Sequence, residues 1–166
     1  GNTIVWTDNR TGDWDLYAYD LSRHEEKRIT ADAARQRRPR VYDTVIVWED
    51  NRSGNWDVYA YDLANGKEMR ITSSPDDEGS PSIYGDLVLF AGGYGLFVYN
   101  LSNQEQRRIW EGFPGSASIY RDIVVWTHWR QQGDDIIEGL SVYNLSTGEG
   151  QEITSGLEYD RSPTTY

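Results

Sequence analysis

Apolar and polar residues alternate along this chain in short runs, and the runs recur. The segment from Ile4, IVWTDNRTGDWDLYAYDL, returns from Ile46 as IVWEDNRSGNWDVYAYDL, 42 residues later. Another 42 residues on, Val88 opens VLFAGGYGLFVYNL, and 36 after that Val124 opens VVWTHWRQQGDDIIEGLSVYNL. Copies three and four keep the apolar skeleton and replace the connecting loop. Each copy holds four short β-rich runs separated by Gly, Asp, Asn, Ser and Pro, with no helical period of useful length. In the second copy these runs cover 38–42, 44–50, 56–63 and 68–72.

Four antiparallel strands returning about every 40 residues are the signature of a propeller blade. The expected fold is therefore all-β, one propeller domain over residues 1–166 with four blades of four antiparallel strands. Blade 1 takes 1–30 plus 161–166, blade 2 takes 37–72, blade 3 takes 79–110 and blade 4 takes 115–154. The chain starts inside a repeat and ends on RSPTTY, the strand that precedes the repeat start elsewhere, as SPSIYGDLVLF does at 80–90. The C-terminal strand is thus expected to complete the N-terminal blade and hide two sheet edges. Closure within one molecule and exchange of Ser162–Tyr166 with a neighbour, giving a homo-oligomer or filament, both satisfy this phase.

Composition narrows the function classes. Lysine and arginine number 16 against 27 aspartates and glutamates, a net charge of -11, which repels nucleic acid and anionic membranes. Nucleic-acid binding and direct membrane insertion are excluded as expectations, because no apolar run approaches the roughly 20 residues of a membrane span. Residues 1–6, GNTIVW, show neither a basic start nor a signal-like apolar stretch. Without cysteine there are no disulfides or thiolate metal sites, so the core must hold the fold. Aromatics with a polar handle dominate, 7 Trp and 12 Tyr against 3 Phe, as suits sheets buried on their faces and wet at their edges.

At DNRSGNWDVYAYDL, with EMRIT after it and SPSIYGD before the next copy, the sequence resembles the TolB-like family of β-propeller repeats. The likeness is strong at Asp8, Arg10, Gly12, Asp15 and Tyr17 and at Asp50, Arg52, Gly54, Asp57 and Tyr59, and weaker in copies three and four. The family's Trp-Ser-Pro-Asp-Gly turn is replaced by Tyr-led turns at 42, 84 and 120, a form that looks like the repeats of secreted and cell-surface proteins. The resemblance implies an extracytoplasmic binding scaffold, secreted, periplasmic or on the cell surface. It implies no reaction.

The candidate sites follow from that scaffold. The loops at 8–15 and 50–57 space acids around a glycine as a calcium loop does, but Arg10 and Arg52 occupy ligand places and no distal glutamate follows. Hairpin turns closed by Gly12 and Gly54, with Asp and Arg paired across the base and Trp14 and Trp56 packed on the next blade, fit better. In the fourth copy, the irregular loop at 127–139 offers His128, Trp129, Arg130, Asp134 and Asp135 as a binding surface. Asp76, Asp77 and Glu78 lie on the same face by connectivity, and Arg38 and Arg40 on the axis-lining first strand can take an anion or a carboxylate. Asn9, Asn51, Asn100 and Asn144 are glycosylation sequons in or beside loops.

No catalytic motif, cofactor fingerprint or paired metal ligand occurs. The chain is accordingly expected to be a non-enzymatic binding or structural module with a protein or glycan partner, no cofactor and no metal. A metal-dependent enzyme using His128 and the 127–139 loop stands as the other class.

Overall fold

The computed structural model describes residues 1–132 and 135–157, with the side chains of residues 130, 132, 135 and 155–157 left aside. Its described residues form four antiparallel sheets and no helix, so nothing in them is a helix long and apolar enough to cross a membrane. The first sheet has three strands, β1 (Thr3–Asp8), β2 (Asp15–Asp20) and β3 (Glu25–Arg28). The second orders β4 (Gln36–Tyr42), β5 (Val45–Asp50), β6 (Asp57–Asp62) and β7 (Lys67–Arg70). The third orders β8 (Glu78–Tyr84), β9 (Leu87–Gly92), β10 (Leu96–Asn100) and β11 (Gln106–Trp110). The fourth orders β12 (Pro114–Tyr120), β13 (Ile123–Gln132), β14 (Asp135–Asn144) and β15 (Glu149–Leu157). The expected closing strand, 161–166, lies outside the described residues.

Local chemistry explains the meander. Asp43, Gly85 and Arg121, at the start of the first turn of their sheets, take positive φ of 51°, 57° and 55°. The turn before the last strand of each sheet is nucleated by an Asx side chain. Asp20, Asp62, Asn100 and Asn144 each accept a hydrogen bond on Oδ1 from the amide two residues on, at 2.8–2.9 Å. Asn100 and Asn144, singled out as sequons, are thereby turn formers.

Packing between sheets is a register rule. In each second strand the first and third positions of the apolar triplet face the preceding sheet, and the middle position faces the following one. Val5 packs on Ile46 and Trp48, Val47 on Val88 and Phe90, and Leu89 on Val124 and Trp126. Central triplets are thus buried on both faces, which is why they read as unbroken apolar runs. At the ends of the series the same rule leaves faces that no described sheet covers. Ile4 is 49% exposed and Val125 is 37% exposed, whereas Ile46, Val47, Val88 and Leu89 are 0%. Pairs Trp6–Tyr17 and Trp48–Tyr59, opposite one another in register, stack at 5.9 Å.

Candidate functional site

The repeated loop is a guanidinium clamp, and in the second copy Asp32 reaches it from the preceding connection, 3.3 Å from Arg52 Nη2. Asp50 ends β5 with its side chain fully buried and accepts from the Arg52 amide at 2.9 Å, from Arg52 Nη2 at 2.5 Å and from Trp48 Nε1 at 3.0 Å. Arg52 Nη1 donates to Glu68 at 2.8 Å, and its guanidinium lies 4.6 Å from the Tyr59 ring centroid. Blade 1 repeats the arrangement, with Arg10 on Asp8 at 2.6 Å, on Glu26 at 2.8 Å and over Tyr17 at 4.5 Å. Gly12 and Gly54, at φ of 106° and 104°, let the loop turn back where a Cβ would be strained. Asp15 and Asp57, buried at the return strand, take Arg28 at 2.6 Å and Arg70 at 2.8 Å. Asp8, Asp50, Asp15 and Asp57 thus each accept from one of the protein's own arginines, while Asp15 Oδ1 has no hydrogen-bond partner among the described residues.

The clamp sets one titration. The Arg10 side-chain hydrogen bond, then the Arg10 amide, hold the half-buried Asp8 carboxyl down to about 2 from its ordinary 3.8. Because the folded value is depressed, the pair's contribution is complete above the ordinary value and is lost as pH falls through about 2. A carboxyl-carbon NMR titration should place the Asp8 midpoint near 2, and Arg10→Ala should return it towards 3.8. An unmoved midpoint in that variant would refute the assignment.

Blade 3 lacks the clamp, and a cleft stands in its place. The short 92–95 turn leaves a cavity of about 490 Å³ between blades 2 and 3, walled by Asp76, Glu78, Phe90, Tyr94, Phe97 and Gln106. A hollow of about 250 Å³ adjoins it, sharing Glu78, Gly92 and Gly93 and reaching Arg37, Arg38 and Phe113. Tyr94 and Phe113 meet edge to face at 4.8 Å on the rim, both exposed. The glycine pair makes the space: a Cβ on Gly92 would lie 2.5 Å from Glu78 Cγ, and one on Gly93 3.5 Å from Asp76 Oδ2.

At the floor, Glu78 is 6% exposed and its Oε2 has no hydrogen-bond partner among the described residues. The repeat explains why. Gln36 holds the same place one blade earlier, donating to Asp32 at 2.9 Å and the Ala34 carbonyl at 3.1 Å and accepting from Thr30 at 3.1 Å. At the next interface the equivalent Thr72 hydroxyl, with one hydrogen to give, donates to Asp57 at 3.3 Å instead. A carboxylate cannot repay the loss by donating as the Gln36 amide does.

The remaining sequence candidates scatter around this cleft. Arg38 donates to the buried Glu49 at 3.0 Å, Arg37 joins it on the other carboxylate oxygen, and the Ser80 amide adds a bond at 2.6 Å across the blade boundary. Arg40 turns back to the Pro39 carbonyl at 3.0 Å. Asp77 accepts from the Trp56 amide at 2.9 Å, and the Trp56 ring lies under the Arg37 guanidinium at 3.7 Å. The Trp14 ring is exposed, and the carbonyls of Trp14 and Trp56 accept from the Gln36 and Glu78 amides of the next sheet at 3.3 and 2.7 Å. Asn9 is exposed, while Asn51 accepts from the Arg35 amide at 2.8 Å.

On blade 4, His128 is buried, 5.4 Å from the Trp110 ring and 3.9 Å from Glu152, so it belongs to the blade 3 contact rather than to a loop surface. Its strand continues as a regular ladder to Gln132, which is what carries it inward. Trp129 is half exposed. Asp134 and the side chains of Arg130 and Asp135 lie outside the described residues. No group of three His, Cys, Asp or Glu that could hold a metal comes together among the described residues.

Two features had no reading in the sequence: Glu49 as the partner of Arg37 and Arg38, and a run of rings in which Tyr84 meets Tyr42 at 4.6 Å and Tyr120 at 4.9 Å. The equal spacing of Tyr42, Tyr84 and the turns after them was the available signal for the second. Glu49 had none, since copies one and three carry Thr7 and Ala91 there.

Among solved structures the chain is similar to TolB from Acinetobacter baumannii, at 18% identity and a TM-score of 0.66 over 95% of this chain and 41% of that one. It is also similar to a Mycobacterium tuberculosis puromycin-hydrolyzing peptidase, at 13% identity and 0.71 over 93% and 27%. A nidogen/laminin complex matches at 14% identity and 0.63, over 94% and 59%. The chain spans less than two thirds of each neighbour's length. No family model matches the sequence, and neither does any curated protein. The likeness to a peptidase corrects the expectation that the chain is not an enzyme: this fold also occurs in enzymes, and a regular β-repeat gives no ground for excluding chemistry carried by loops.

Proposed function

From a TolB-like β-propeller fold, we propose that this chain serves as a protein-binding module outside the cytoplasm, with the cleft between blades 2 and 3 as its docking point. The observation that carries the reading is the exposed Tyr94–Phe113 pair beside a buried acid, since aromatic anchors over a desolvated polar group are what binding hot spots consist of. Neighbours that include TolB and a nidogen/laminin complex support a protein partner rather than a glycan. An array of random-sequence peptides should retain the fluorescently labelled chain, and Tyr94→Ala/Phe113→Ala should lower retention by at least about tenfold while melting as the parent does. Retention that ignores the double variant would remove the cleft from the reading.

The uncovered Ile4 and Val125 faces favour a ring in which they cover one another, closed by 161–166 within one chain. The second reading is a head-to-tail assembly in which a neighbour's Val125 face meets Ile4. Melting that depends on protein concentration belongs to the assembly alone.

A further inference from the structure

In blades 1 and 2 a loop arginine sits in a slot of three parts: a carboxylate ending the strand before the loop, an aromatic ring on the strand after it, and an acceptor on the last strand of the sheet. These are Asp50, Tyr59 and Glu68 around Arg52, where Asp32 adds a further acid at 3.3 Å, and Asp8, Tyr17 and Glu26 around Arg10. In blade 3 the register places Phe97 where Tyr59 stands, opposite Phe90, and Gln106 where Glu68 stands, opposite Tyr99. The carboxylate has crossed to the facing strand, as Glu78 paired with Gly92. All three line the same cavity. Only the arginine is absent, because the loop that carries it is gone and Tyr94 occupies its position, two residues after Gly92 as Arg52 is after Asp50.

The described arginines around this cavity are engaged elsewhere. Arg108, the one basic residue lining this cavity, pairs with Glu111 at 3.1 Å, having lost the acid that Arg70 finds in Asp57 because Gly95 stands there. Arg37 and Arg38 are held by Glu49. A carboxylate nine-tenths buried without a donor on Oε2 is costly unless a cation supplies one.

We propose that the blade 3 cleft is a vacated arginine slot that binds a guanidinium group from outside, with Glu78 as the ion-pair anchor, Phe97 as the stacking face and Gln106 as a second acceptor. Planar guanidinium suits this set better than ammonium, since it stacks on the ring while its edge donates in parallel. The inference rests on the proposed docking role of the cleft and specifies what docks there.

Calorimetric and amide-shift titrations of the whole chain test it, with N-acetyl-arginine amide, free L-arginine and N-acetyl-citrulline amide as probes. The arginine compounds should bind and shift the Gly92, Gly93 and Gly95 amides, and the neutral citrulline isostere should bind at least about tenfold more weakly. Glu78→Gln should lose the same factor. Tyr94→Arg, which returns an arginine to the motif position, should abolish binding and melt above Tyr94→Gln. Equal binding of citrulline, an unaffected Glu78→Gln variant, or Tyr94→Arg melting no higher than Tyr94→Gln would overturn the proposal, as would no binding by any probe. Preference for the capped compound marks a partner's side chain as the source, and preference for free L-arginine marks the amino acid. Arginine binding without peptide retention would sink the protein-docking reading and leave this one standing, whereas retention of arginine-free peptides as firmly as arginine-containing ones would do the reverse.

Discussion

Trp48→Ala is expected to lower stability by about 3–5 kcal/mol, the usual cost of truncating a fully buried tryptophan. Trp48 fills the boundary between blades 1 and 2 with Ile46, Leu16 and Ala18, so the truncation leaves a cavity that two sheets line. The repeat supplies the control. Trp6 has the same neighbours in sequence and the same stacked tyrosine, yet its face has no described sheet against it. If blades 1 and 4 cover one another, Trp6→Ala will cost as much as Trp48→Ala, and its melting will not depend on concentration. If the first sheet stays open, the Trp6 variant will lose well under half as much. Urea titration of the two variants side by side reads the difference directly, and a small loss at Trp48 itself would show that the boundary is not the tight core described.

The second large effect belongs to Asp50. Asp50→Ala is expected to cost about 2–4 kcal/mol, because it orphans the indole N–H of the fully buried Trp48 and takes from Arg52 its buried carboxylate partner, leaving it Glu68 and Asp32. Asp50→Asn keeps the shape and one acceptor oxygen, so it should cost less. Arg52→Ala on its own should cost less than Asp50→Ala, since Asp50 would still accept from Trp48 and the residue 52 amide. The double change should be less than additive, because both remove one network. Additive losses measured by the same titration would mean that the clamp is two independent contacts.

Much of this architecture was legible before any coordinates. The strands at 38–42, 44–50, 56–63 and 68–72 read from the second copy correspond to β4 to β7 within about two residues, an ordinary boundary uncertainty. The Asp–Arg clamp was legible too, because its partners are two residues apart. His128 was misread as a loop residue since its break in the repeat resembled an insertion, whereas β13 and β14 simply run on as a longer ladder. Arg38 looked open to an anion or a carboxylate, without a named partner, because Glu49 sits in the apolar strand of its own copy, at a place where the other copies are uncharged or small.

The sequence by itself determined the repeat, the antiparallel meander and the register rule that sends alternate residues to opposite blade faces. These depend on side-chain alternation and on turn chemistry spanning a few residues, and both are written locally. Tertiary structure decided what happens where blades meet. Glu49 finds Ser80 31 residues away, and Glu78 loses to Asp57 the hydroxyl hydrogen that Gln36 obtains from Thr30. One hydrogen and two acceptors on neighbouring sheets settle which carboxylate is left without a donor. That competition exists only once the sheets are packed, and it is what leaves a carboxyl oxygen of Glu78 without a donor in the cleft beneath a shortened loop.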